Sequence, residues 1–224
     1  VWWERRTSDP AIDFGLVVSK SMGPLYVAAF AMGAVMIDAP PNLADFLSRD
    51  PEVYGYGFAA SSDVLAGMIA SMLVFATAGA LASTFIAARL GMRTTLLGAA
   101  LLGAVGQGLL IPMPHLVAAF WVSGILTGFG LGILVGALPA LVSHAAPAGR
   151  TGIANGIYSA LLAMGGAVGG AVFKQVLVAF RDEQRMTELG GYTTIWAISI
   201  ALFLLTALMM ATVELPDKRK QVHE

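Results

Sequence analysis

The residues able to do chemistry in this 224-residue chain are few, and most lie in or beside apolar runs. Asp63 sits about two turns into an apolar stretch that begins near Phe58. A carboxylate facing a low-dielectric interior holds its proton more tightly, which makes Asp63 a candidate proton or cation acceptor. The run Ser61-Ser62-Asp63 reads equally as a helix-entry cap. Asp38, just before two prolines, is either a second acceptor or a wetted helix end. Lys174, with Gln175 beside it, is either a substrate or gate contact or a side chain snorkelling to the interface. Asn155 and Tyr158 are three apart and share a helix face. Tyr26 and Phe30, four apart, form an aromatic stripe of the kind that lines drug-sized pockets or packs helices. Gln107 is placed to hydrogen-bond between helices, and Trp121 and Thr127 are weaker candidates of the pocket-lining kind. His115, His144 and His223 have no metal-ligand spacing, so neither a metal nor a cofactor is implied. With no cysteine, no His-Glu-x-x-His and no Gly-x-Ser-x-Gly, the inventory is one for handling protons and solutes, not for an enzyme.

The elements that must position these residues are apolar. Hydrophobic residues make up 57% and charged residues 12%, with a mean hydropathy of +0.77. A soluble domain has roughly 45–50% and 25%. The chain therefore reads as an all-α polytopic membrane protein, and its net charge of −1 gives nucleic acid no basis for binding. Six spans are expected, at about 21–37, 58–88, 94–111, 115–142, 151–180 and 192–213. Asp38-Ala-Pro-Pro-Asn42 is expected to stop the first, because proline cannot continue the hydrogen-bond ladder. Residues 43–56 then form a polar loop. A lead-in over 1–20 and a tail over 214–224 flank the membrane domain.

The region 124–170 carries twelve of the 26 glycines. Gly124, Gly128, Gly132 and Gly136 recur every fourth residue, and Gly165/Gly169 and Gly166/Gly170 repeat that spacing. In a bilayer such rows cut grooves that let helix backbones approach closely. A phosphate-binding reading of Gly128-Phe-Gly-Leu-Gly132 fails, since that loop needs a strand before it and a helix after it. Charge orients the spans. One side gathers nine basic residues against six acidic ones, including Arg89, Arg93, Arg150 and the tail Lys218-Arg219-Lys220. The other has four basic against eight acidic. The basic side, with both termini, is expected in the cytoplasm of a cell membrane.

Three stretches together resemble the C-terminal six-helix half of a major facilitator superfamily transporter, in its fourteen-helix drug:proton antiporter branch. They are Ala39-Pro-Pro with Gly55-Tyr-Gly-Phe-Ala-Ala-Ser61 and Ala66-Gly67; Ala87-Ala-Arg-Leu-Gly-Met-Arg93; and Pro147 to Gly156 running into Gly165-Gly166 and Gly169-Gly170. The second is similar to the superfamily's signature loop through Arg89, Gly91 and Arg93, although Thr84 and Ala88 replace its usual glycine and aspartate. The resemblance implies two inverted three-helix repeats. It also implies proton-coupled efflux of drug-like or amphipathic molecules, with the lipid bilayer, protons, a small-molecule substrate and a missing N-terminal half as partners. The stripe at Tyr26 and Phe30 would line its cavity, and Gln107 would lie on a peripheral helix. A different reading is a non-transporting half that serves as an assembly module.

Overall fold

A computed structural model describes residues 19–213 except Ala148, Gln184 and Arg185, and all side chains there except those of Asp38 and Ala39. The expected lead-in and tail, with Trp2, Trp3 and Lys218-Arg219-Lys220, lie outside the described residues. Seven helices follow: α1 (Gly23–Ser48), α2 (Pro51–Tyr54), α3 (Ser62–Leu90), α4 (Met92–Gly108), α5 (Val117–Ala145), α6 (Thr151–Ala179) and α7 (Leu189–Thr212). Five of the six long helices are long and apolar enough to cross a membrane. The sixth, α4, has 17 residues, at the lower limit of about 17 for a crossing helix.

The first helix departs from expectation. It does not stop at Asp38 but continues through Pro40 and Pro41 to Ser48, absorbing half of the expected polar loop. The prolines remove two amide donors from the ladder, a defect that membrane helices tolerate. What the extension gains is burial, since Phe46 and Leu47 are almost fully covered. The remaining loop is short. Asp50 caps α2 through the Glu52 amide, and Gly55 ends it in the left-handed region at φ 72°.

Between α3 and α4 a single residue makes the turn. Gly91 has φ 84° and is the last cap of one helix and the first of the next. A side chain there would be strained, so the glycine is a requirement of the backbone. Arg89 lies over the Phe85 ring, 4.3 Å from its centroid. Arg93 donates from Nε to the Met210 carbonyl of α7 at 2.9 Å. The signature-like loop is thus a tight joint tied to a neighbouring helix.

Two helix pairs dominate the packing, α3 with α5 and α1 with α6, while α4 and α7 pack on each other and on α5 and α1. With the long helices split into two sets of three, the first of each set lies along the second of the other, and the third meets the third. Inverted repeats give this pairing. The glycine rows are its contact surfaces. A methyl on Gly132 would fall on the Ala76 carbonyl, one on Gly128 would lie 2.5 Å from that of Met72, and one on Gly136 2.8 Å from Ser83 Oγ. Across the other pair, a methyl on Gly165 would fall on the Phe30 carbonyl, one on Gly166 on the Ile37 side chain, and one on Gly169 would lie 2.7 Å from Ala34 Cα. Gly124 differs from expectation: a methyl there would find no neighbouring atom within 4 Å. Gly170 is only partly covered.

Candidate functional site: two bridged ends, a polar core and two open faces

The sequence-derived candidates fall into three groups. At the basic end, Tyr26 and Tyr158 lie in the main apolar core. The Tyr26 hydroxyl donates to the Ala154 carbonyl of α6 at 3.3 Å. Asn155 donates from Nδ2 to Ser143 Oγ of α5 at 2.8 Å and to the Thr151 carbonyl at 3.1 Å. Tyr26 and Asn155 knit α6 to α1 and α5, and Tyr158 is buried in the core beside them. The aromatic stripe expected to line a cavity is therefore split: Tyr26 is 2% exposed, and Phe30 is half-buried with its backbone against Gly165. The reason is the close approach of α1 and α6, which leaves no space between them for a solute.

Towards the opposite end, Gln107 of α4 donates to Thr127 of α5 at 3.4 Å, both buried. Around them lies a cavity of about 20 Å³, lined by Asn42, Ser123, Gly124, Ser199 and Trp196 among others. Ligand pockets run to about 300–1,000 Å³, so this space is far too small for a drug or a sugar. A larger apolar groove of about 300 Å³ opens at the basic end beside Ser83, Thr84, Ala88 and Gly136.

Asp63 and Lys174 are both exposed. Asp63 is in the first turn of α3, not two turns in, because the helix begins at Ser62. There its charge complements the helix dipole. The side chain of Asp38 lies outside the described residues; its backbone is within α1.

The end opposite the basic one carries a network that the sequence did not single out. Asp45 forms an ion pair with Arg49 at 2.7 Å and accepts a hydrogen bond from the Tyr192 hydroxyl. Arg49 also donates to the Tyr54 hydroxyl at 3.2 Å and lies over that ring. The Tyr56 hydroxyl donates to the Thr187 carbonyl. Beneath, Phe46 stacks on Tyr56 and Phe120 at 5.2 and 5.1 Å and meets Tyr192 and Trp196 edge-on. Burial opposes the Arg49 charge, but its hydrogen bond and ion pair with Asp45 and the nearby Tyr192 oxygen prevail and raise its pKa. Burial also raises the Tyr56 phenol above its usual 10. Only the Asp45/Arg49 spacing of four was a readable signal, and it required a helix through the two prolines.

Around this frame, α3 and α6 leave apolar side chains uncovered, among them Leu73, Phe75, Leu81, Met164 and Val168. Apolar surface of this extent belongs against lipid or another protein surface. The family model for sugar (and other) transporters matches residues 18–210. The chain belongs to this family of major facilitator transporters. Family membership makes it a multi-pass membrane protein of a transporter family rather than an enzyme.

Among curated relatives, it is 28% identical over 188 residues to multidrug resistance protein Stp of Mycobacterium tuberculosis (strain CDC 1551 / Oshkosh), covering 80% of this chain and 32% of that protein. It is also 28% identical over 161 residues to sugar transport protein MST7 of Oryza sativa subsp. japonica, covering 70% of this chain and 28% of that one. The chain thus spans about a third of the length of these relatives. Two solved structures share the fold at a TM-score of 0.71. The POT family transporter PepTSo is 14% identical, over 86% of this chain and 37% of its own. The nucleoside transporter NupG (D323A mutant) is 17% identical, over 94% and 54%.

Proposed function

We propose that this six-helix unit is the C-terminal half of a proton-coupled exporter of drug-like or amphipathic molecules in the cell membrane, of the fourteen-helix drug:proton branch. The observation that carries the reading is the likeness to the multidrug resistance protein over four fifths of this chain but a third of that relative's length. The small internal cavity supports it as well, because a solute site then needs a second wall. The uncovered faces of α3 and α6 are the surfaces on which the missing half would seat. Asp63, exposed at the entry of α3, and Lys174 on α6 are the ionisable groups proposed to meet protons or substrate there.

Proteoliposomes holding the full-length protein test this. Efflux of an amphipathic dye is expected to rise with an imposed proton gradient and to collapse with a protonophore. Flux indifferent to the gradient removes the antiporter reading. The likeness to a sugar transport protein favours one rival substrate class, so saturable hexose flux without dye flux would replace the drug reading with a sugar one.

A further inference from the structure

The small, mostly apolar cavity where α4, α5 and α7 meet α1 and α3 carries a few polar side chains and has the marks of a ligand site of its own, at a scale far below that of a transported solute. Its volume of about 20 Å³ exceeds the ~10–15 Å³ that one water needs. Ser199 and Ser123 line it, 1% and 3% exposed, and Gln107 is 7% exposed. Among the described residues the two serine hydroxyls have no protein hydrogen-bond partner, and the Gln107 amide makes one long bond to Thr127. Buried polar groups are nearly always satisfied, and a structural water is held by two to four of them.

We propose that this cavity binds one structural water, bridging Ser199 of α7, Ser123 of α5 and Gln107 of α4. The lining residues offer hydroxyl and amide groups and no carboxylate, which suits a neutral ligand better than a cation. The water joins three helices through Ser199, Ser123 and Gln107, the rest of whose surroundings include the apolar Leu110, Ile195 and Trp196. This site is independent of the transport reading.

Gly124 supplies the test, because it lines the cavity and a methyl there would meet no protein atom. Gly156, in α6 and also facing open space, is the control for the ordinary gain on replacing a helical glycine. In the detergent-purified full-length protein, Gly156→Ala is expected to hold or raise Tm. Gly124→Ala is expected to fall below it by about 2–4 °C, as the methyl displaces the water and strands the serines. In a Ser123→Ala/Ser199→Ala background, or with Ser199→Ala alone should the pair fail to fold, that deficit is expected to vanish. A Gly124→Ala Tm equal to that of Gly156→Ala in the parent means a dry cavity and overturns the proposal. A parent Tm that rises when sodium replaces choline at fixed ionic strength, an effect abolished by Ser199→Ala, means a cation and overturns it too.

Discussion

Asp45 shows how one side chain can hold two elements 147 residues apart, through Tyr192, while also pairing with Arg49. Removing it leaves a half-buried guanidinium whose Nε already lacks a partner. Asp45→Ala is therefore expected to lower stability by about 1–3 kcal/mol, read as a drop in Tm, with Tyr192→Phe giving a smaller loss. Tyr56 supplies a pH dependence. Its folded pKa is raised by burial, so its contribution is full below the unfolded value of about 10 and is lost as pH climbs through the folded value. Tyr56→Phe is therefore expected to remove one tyrosine from the late part of a spectroscopic titration and to make the alkaline loss of stability less steep. Asp63 is exposed in a first turn, so Asp63→Asn is expected to leave Tm near that of the parent. If the acid couples protons, gradient-driven flux falls with it. Unchanged flux makes Asp63 a helix-entry residue.

At the scale of helices, the glycine rows decide how close the pairs come. Gly132→Ala places a methyl on the Ala76 carbonyl and Gly165→Ala one on that of Phe30. Each is expected to cost about 1–3 kcal/mol through overpacking, whereas Gly152→Ala, facing open space, is expected to be near neutral. Thermal unfolding in detergent compares the three. These rows were legible because period four is a surface property of a helix. The end of α1 was not. Asp38-Ala-Pro-Pro-Asn42 carries strong local stop signals, yet the helix passes through, since the extension brings Phe46 among the rings of Tyr56, Phe58, Phe120, Tyr192 and Trp196. Local propensity was outweighed by contacts that no local pattern encodes. The fate of Gly124 was hidden for a related reason, because a row of four glycines does not say where the partner helix diverges.

For the whole molecule, alternate helix direction places Arg89 at one end and Arg181 at the other. The chain has no cysteine, so Arg89→Cys and Arg181→Cys add one reporter each to this segment. In intact cells a membrane-impermeant maleimide is expected to label the second and to reach the first only after permeabilisation. The reverse pattern would invert the charge-based orientation. The membrane class, the number of long helices and most of the glycines on their pairing surfaces were readable from composition and spacing. The capping network was not, because Asp45, Tyr56, Thr187 and Tyr192 belong to segments that only the folded bundle brings together.

The one-residue joint at Gly91 leaves no slack between α3 and α4, and Arg93 hitches the start of α4 to the end of α7. Axial travel of α3 would be handed straight to α4 and on to α7, like a pull along coupled carriages. A few flexible residues spliced in after Gly91 would act as a loose coupling, letting α3 shift while the rest stands still.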